Sequence, residues 1–142
     1  MSEDYHFSIT ETNKADFTEI VIKNKLTGEF VSIIPEYGAR IKELRLSNGK
    51  DIISILKAVT DINSNDRDDI FTNAKLSPFA GRIKDGKYSF QQTEYSLPIN
   101  YPEENNACHG FIFNKSFSVV EKVLKGDSAS CTLEYYYDNE YE

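Results

Sequence analysis

Turn residues divide this chain into pieces too short for long helices. Runs rich in β-branched and aromatic residues recur along it, and Gly, Pro, Asn or Asp closes each run after four to ten positions or so. Residues 17–23 (FTEIVIK) and 29–34 (EFVSII) are joined by a connection ending in Gly28, which fits a hairpin. Residues 39–46 (ARIKELRL) set Ile41, Leu44 and Leu46 among charged residues, so the aliphatic side chains are expected to face a core and the Arg and Lys side chains solvent. Ser47-Asn48-Gly49-Lys50 is a turn, and another element begins at Asp51. Asp85-Gly86 turns the chain again. Residues 87–90 and 93–97 then form two short strands around Gln91-Gln92, and residues 98–107 a polar loop. Strand-like material resumes within residues 111–124, turns at Lys125-Gly126-Asp127 and ends with a last strand over residues 128–137. Nine Tyr, nine Phe and a single Met suit pleated, half-buried surfaces. The pattern predicts an all-β sandwich or barrel.

One domain is expected for 142 residues, 39% of them apolar. Lys and Arg number 16 against 23 Asp and Glu, a formal net charge of −7. Nucleic acid and anionic membranes reward positive charge, so neither is expected as the main partner. No apolar run approaches the ~20 residues of a membrane span. The start MSEDYHFSIT has no basic and apolar signal pattern, which makes a cytoplasmic location the default. Cys108 and Cys131 have no metal-binding spacing. Their even number permits a disulfide, while a reducing compartment favours free thiols.

The chemistry-bearing residues are few. His6 lies near the start, where exposure or disorder is expected. His109 follows the long polar loop, in Cys108-His109-Gly110-Phe111. It reads either as a ring packed at a loop base or as a donor to a polar ligand beside a space-giving glycine. Arg82, in Gly81-Arg82-Ile83, reads either as half of a structural ion pair or as a fork of donors for ligand oxygens. Glu103-Glu104 and Asp68-Asp69 read as solvated charges. Residues 61–69 (DINSNDRDD) read as an exposed loop, with calcium as the functional alternative, although the glycine and closing glutamate of a calcium loop are absent. In the run Tyr135-Tyr136-Tyr137, strand geometry puts Tyr135 and Tyr137 on one face, for packing or for stacking on a sugar ring. Adjacent Cys108 and His109 do not have the spacing of a shared zinc site, and no P-loop, G-x-G-x-x-G or G-x-S-x-G motif occurs.

Residues 76–117 carry an ordered set of motifs: G-R-I at Gly81, G-K-Y-x-F at Gly86, Y-x-L-P-x-N at Tyr95, an Asn-bearing polar loop, and H-G-F at His109. In order and spacing this set resembles the aldose 1-epimerase, or galactose mutarotase, family. Gly38-Ala39-Arg40-Ile41 and Asn48-Gly49-Lys50-Asp51 resemble the family's early strand pair. The resemblance implies a galactose mutarotase-like antiparallel β-supersandwich, with residues 1–142 as about its N-terminal half. It implies exchange of α and β anomers of an aldose without a cofactor. A base removes the C1 hydroxyl proton, an acid protonates the ring oxygen, and the ring opens, rotates and recloses. Arg82 and His109 match sugar-binding positions of the family. Its acid histidine and base glutamate would lie in a C-terminal half, so no catalytic residue is assigned within these residues.

Two positions depart from the common pattern. Pro78 stands where many members have a second arginine, and H-G-F replaces H-G-G, as in branches that resemble the sugar-phosphate-acting ones. Arg67 is the other arginine near this region of the sequence. The expected partner is a hexose or sugar phosphate, with self-association through exposed sheet edges. The rival reading is a noncatalytic sandwich that binds carbohydrate or protein.

Overall fold

The computed structural model describes residues 5–62 and 70–138. The calcium alternative over residues 61–69, and with it Arg67 and Asp68-Asp69, falls almost wholly outside the described residues.

The first half forms an antiparallel five-stranded meander, in the order β1 (Phe7–Asn13), β2 (Thr18–Asn24), β3 (Phe30–Ile34), β4 (Arg40–Ser47) and β5 (Ile52–Ser54). The β2–β3 hairpin and the turn before β5 follow the sequence pattern, whereas β1 is an addition to it. At that turn Asn48 folds its side chain back to accept hydrogen bonds from the backbone N–H groups of Lys50 (2.9 Å) and Asp51 (2.8 Å). This is why Asn suits the position. Ile20 and Ile34 are fully buried and centre the core on β2 and β3.

Strand β4 departs from the simple in-and-out expectation. Ile33 pairs with Ile41 and Ser32 with Glu43, which leaves Lys42 as the extra residue of a β-bulge. Lys42 turns to Glu19 at 2.9 Å, and the Ser32 hydroxyl donates to the same carboxylate at 2.5 Å. Burial opposes charge on Glu19, but these two hydrogen bonds together with the Lys42 and Lys14 charges outweigh it and hold the carboxyl below its ordinary value. Arg40 is buried at 4% exposure rather than solvent-facing, because its guanidinium donates to the Ile70 carbonyl at 2.6 Å. At the far end of the strand Leu46 is 40% exposed. The alternation therefore misplaces both ends of β4.

The second half is built of two-stranded ribbons. β6 (Arg82–Lys84) pairs with β9 (Asn106–Cys108), β7 (Lys87–Phe90) with β8 (Thr93–Ser96), and β10 (Ser118–Lys125) with β11 (Ser128–Glu134). The β7–β8 turn places both Gln91 (φ 48°) and Gln92 (φ 67°) in the left-handed region, as a two-residue turn of this hand requires. Lys122 of β10 reaches Glu11 of β1, joining that ribbon to the meander. β11 ends at Glu134, three residues before the strand expected from the sequence. The alternation nevertheless continues. Tyr135 packs on Phe117 (5.4 Å between ring centroids), Tyr137 stacks with Phe111 (6.4 Å), and Tyr136 is 83% exposed. Cys108 and Cys131 are free thiols.

Candidate functional site: the β6–β9 ribbon and His109

Three-residue strands β6 and β9 place the two singled-out residues side by side. Arg82 pairs with Cys108, so His109 emerges at the end of β9 next to Gly81. The contact is reciprocal. The His109 N–H donates to the Gly81 carbonyl at 2.9 Å, and the Gly81 N–H donates to His109 Nδ1 at 3.0 Å. With Nδ1 accepting, the neutral ring carries its proton on Nε2 and has a donor to offer. The His109 backbone is left-handed (φ 62°), a conformation that non-glycine residues adopt at a cost and that is concentrated at functional sites.

Glycines shape the surroundings. At Gly110 (φ 72°) an added Cβ would stand 2.0 Å from the Ser77 carbonyl oxygen, and Phe111 N–H donates to that same oxygen at 2.8 Å. Residue 110 must therefore be glycine for the strand end to lie against residue 77. At Gly81 (φ 95°) an added Cβ would meet nothing within 4 Å. Open space thus borders the backbone between Arg82 and His109.

Arg82 forms the ion pair of its structural reading. Its Nε lies 3.1 Å from Glu104 Oε2, and its guanidinium sits over the Tyr101 ring at 5.4 Å. The side chain is half exposed. A hydrogen bond with the Tyr101 side chain, and then the Glu104 charge, raise its pKa further above the ordinary arginine value. Glu104 is consequently not merely a solvated charge. It also accepts from Asn106 Nδ2 at 3.2 Å and orients the arginine from the single-turn 3₁₀ helix η1 (Pro102–Glu104). Burial, and then the Arg82 charge, lower the His109 pKa. Both effects favour a neutral imidazole.

The residues missed in the sequence are those that hold this geometry. Asn100 clasps the Cys108 peptide, donating to its carbonyl at 2.8 Å and accepting from its N–H at 2.6 Å. The closing Asn of Y-x-L-P-x-N was the signal available for it. Phe71 meets the His109 ring edge-on at 4.5 Å, and nothing in the local sequence marks that contact. Among the described residues, no group of three or more His, Cys, Asp and Glu side chains gathers as a metal site would.

Two cavities among the described residues lie on neighbouring walls. A groove of ≈ 830 Å³ runs between the β7–β8 ribbon and Phe111, lined by Pro78, Phe79, Ile83, Tyr88 and Tyr95 among others. A smaller space of ≈ 100 Å³ adjoins Cys108 and Gly110. Ile83 faces the groove while its neighbour Arg82 is absent from its wall, as strand alternation requires.

The fold is shared with solved structures. A galactose mutarotase-like protein from Clostridium acetobutylicum superposes with a TM-score of 0.71 at 24% identity, over 95% of this chain and 40% of its own length. The galactose 1-epimerase of Lactobacillus acidophilus NCFM superposes with a TM-score of 0.61 at 19% identity, over 89% of this chain and 37% of its own length. The chain thus spans about two-fifths of each. These likenesses confirm the galactose mutarotase-like, antiparallel all-β architecture. A sequence model of the family described as "Aldose 1-epimerase" matches residues 19–142, and the chain belongs to that family.

Proposed function

We propose that this chain is the sugar-holding portion of an aldose 1-epimerase, whose reaction interconverts the α and β anomers of a hexose through acid/base ring opening. The observation that carries the reading is the juxtaposition of Arg82 and His109 at the β6–β9 strand ends, beside the open space at Gly81. Arg82 would donate to sugar hydroxyls from a guanidinium already oriented by Glu104. His109 would donate from Nε2 as a neutral ring. A neutral imidazole orients a hydroxyl well but is a poor proton source for the ring oxygen. The general acid and the general base are therefore assigned to polypeptide beyond residues 1–142, in keeping with the two-fifths of relatives' length that this chain spans. The reaction as outlined calls on no cofactor, and a cytoplasmic setting suits free hexose or sugar phosphate as substrate.

Two measurements test the reading. Titration with galactose, glucose and glucose 6-phosphate should show binding that Arg82→Ala and His109→Ala each weaken several-fold. Unchanged binding in both variants would remove these residues from the site. Polarimetry on the 142-residue chain should give mutarotation close to the buffer rate, and a rate well above buffer would place an acid and a base within these residues after all.

Self-association belongs to the same proposal. Ile52, Ile53 and Ile55 are 37%, 41% and 46% exposed along the edge strand β5 and just past it. Sedimentation should show concentration-dependent association that Ile53→Lys reduces.

A further inference from the structure

The site ribbon and the five-stranded meander are joined through aromatic rings. Phe71 packs edge-on against His109 (ring centroids 4.5 Å apart, planes at 64°) and against Phe113 (4.9 Å). Three side-chain hydrogen bonds hold the segment that carries Phe71. Arg40, buried at the start of β4, donates to the Ile70 carbonyl at 2.6 Å. Asn73 Nδ2 donates to the Lys57 carbonyl at 2.7 Å, and Lys75 donates to the Ala39 carbonyl. Phe113 is docked on the same part of the sheet. An added Cβ at Gly38 would stand 2.2 Å from the Phe113 carbonyl oxygen, and the Gly38 N–H donates to the Lys115 carbonyl at 2.6 Å.

We infer that Phe71, anchored on the meander through Arg40, is a positioning residue that fixes the His109 ring with Nδ1 on the Gly81 N–H and Nε2 outward. The inference rests on the reading of His109 as a sugar donor. It adds a residue that touches no sugar and acts through the imidazole. The physical argument is rotational. One hydrogen bond at Nδ1 leaves the ring able to swing about that contact, and an edge-on aromatic neighbour removes the freedom. The same ring excludes water from one side of His109, which agrees with burial as the main cause of its lowered pKa. Among the described residues, the charge that acts on the imidazole is that of Arg82 on β6, which also lowers the pKa, and Arg82 is itself paired with the Glu104 carboxylate. Lys75, on the Phe71 segment, is engaged with Ala39.

His6 and His109 are the two histidines of the sequence, so nitrogen-15 NMR of the imidazoles reads His109 with exposed His6 as an internal control. In the unsubstituted chain His109 should titrate below the ordinary imidazole value and show the tautomer protonated at Nε2. Phe71→Ala should raise the His109 midpoint toward the ordinary imidazole value and mix the two tautomers. Phe71→Leu keeps most of the bulk, removes the aromatic edge, and should give a partial shift in the same direction. It serves as the test should the alanine variant fail to fold. A folded variant of either kind with an unaltered midpoint and tautomer would overturn the inference. No sugar is present in this measurement. If the unsubstituted chain bound no hexose, the functional reading would fail while the NMR result still decided the role of Phe71.

Discussion

The meander β1–β5 and the ribbon segment from residue 73 to residue 110 solve the problem of holding a shape in different ways. The meander holds by burial. Ile20 and Ile34 are sealed between long, regular strands, and its one internal irregularity, the Lys42 bulge, is satisfied by Glu19. The ribbon segment has strands of three or four residues, and of these β9 alone is buried throughout. Among the described residues it carries Asn73, Asp85, Gln91, Gln92, Asn105 and His109 in left-handed backbone, whereas Ala39 is the corresponding non-glycine residue in the meander. It holds by specific hydrogen bonds and close backbone approaches, such as Asn100 on Cys108 and Gly110 on Ser77. A stable sheet can thus carry a costly backbone, and the costly backbone is where Arg82 and His109 meet.

The largest effect should come from the meander. Ile20→Ala leaves a cavity in the tightest part of the core and should lower stability by about 2–5 kcal/mol in a denaturant titration. A loss below about 1 kcal/mol would mean that the sheet does not carry the fold.

Gly110→Ala attacks the ribbon instead. The new Cβ meets backbone that cannot swing aside, at a positive φ, so the loss should exceed about 1 kcal/mol. Hydrogen exchange should show protection falling around residues 77–83 and 106–111 while β2 and β3 stay protected. Uniform loss of protection would show that the two regions do not open separately.

The smallest effect is on pH dependence, and it sharpens the contrast. His109 has a folded pKa below its ordinary 6.5, so the stabilisation linked to its neutral form is fully present above pH 6.5 and is lost as the pH falls below that value. Glu19 has a folded pKa below its ordinary 4.5, so its contribution is present above pH 4.5 and is lost only in stronger acid. Acid should therefore weaken the ribbon before the sheet. His109→Gln should flatten the stability profile between pH 7 and 5 and leave the more acidic limb intact. An unchanged slope between pH 7 and 5 would assign that limb to other groups.

Much of this was legible in the linear sequence. Strand positions followed from β-branched and aromatic runs, because a period of two and the turn residues that end it are local properties. The motif order from G-R-I to H-G-F carried the family and drew attention to Arg82 and His109. Local pattern could not supply the partners. Arg40 reads as a surface charge in ARIKELRL, yet it is buried, with a carbonyl thirty residues away accepting its hydrogen bond. Glu104 reads as a solvated carboxylate, yet strand pairing brings it to Arg82. Phe71 carries no local mark of its contact with a histidine thirty-eight positions later in the chain. The sequence by itself determined which segments extend, where they turn and which side chains are candidates for chemistry, since those depend on neighbours within a few residues. Tertiary structure alone decided which polar groups are satisfied and which rings fix His109, since those depend on backbone donors and side chains brought together from β4, the segment after Ile70 and the end of β9.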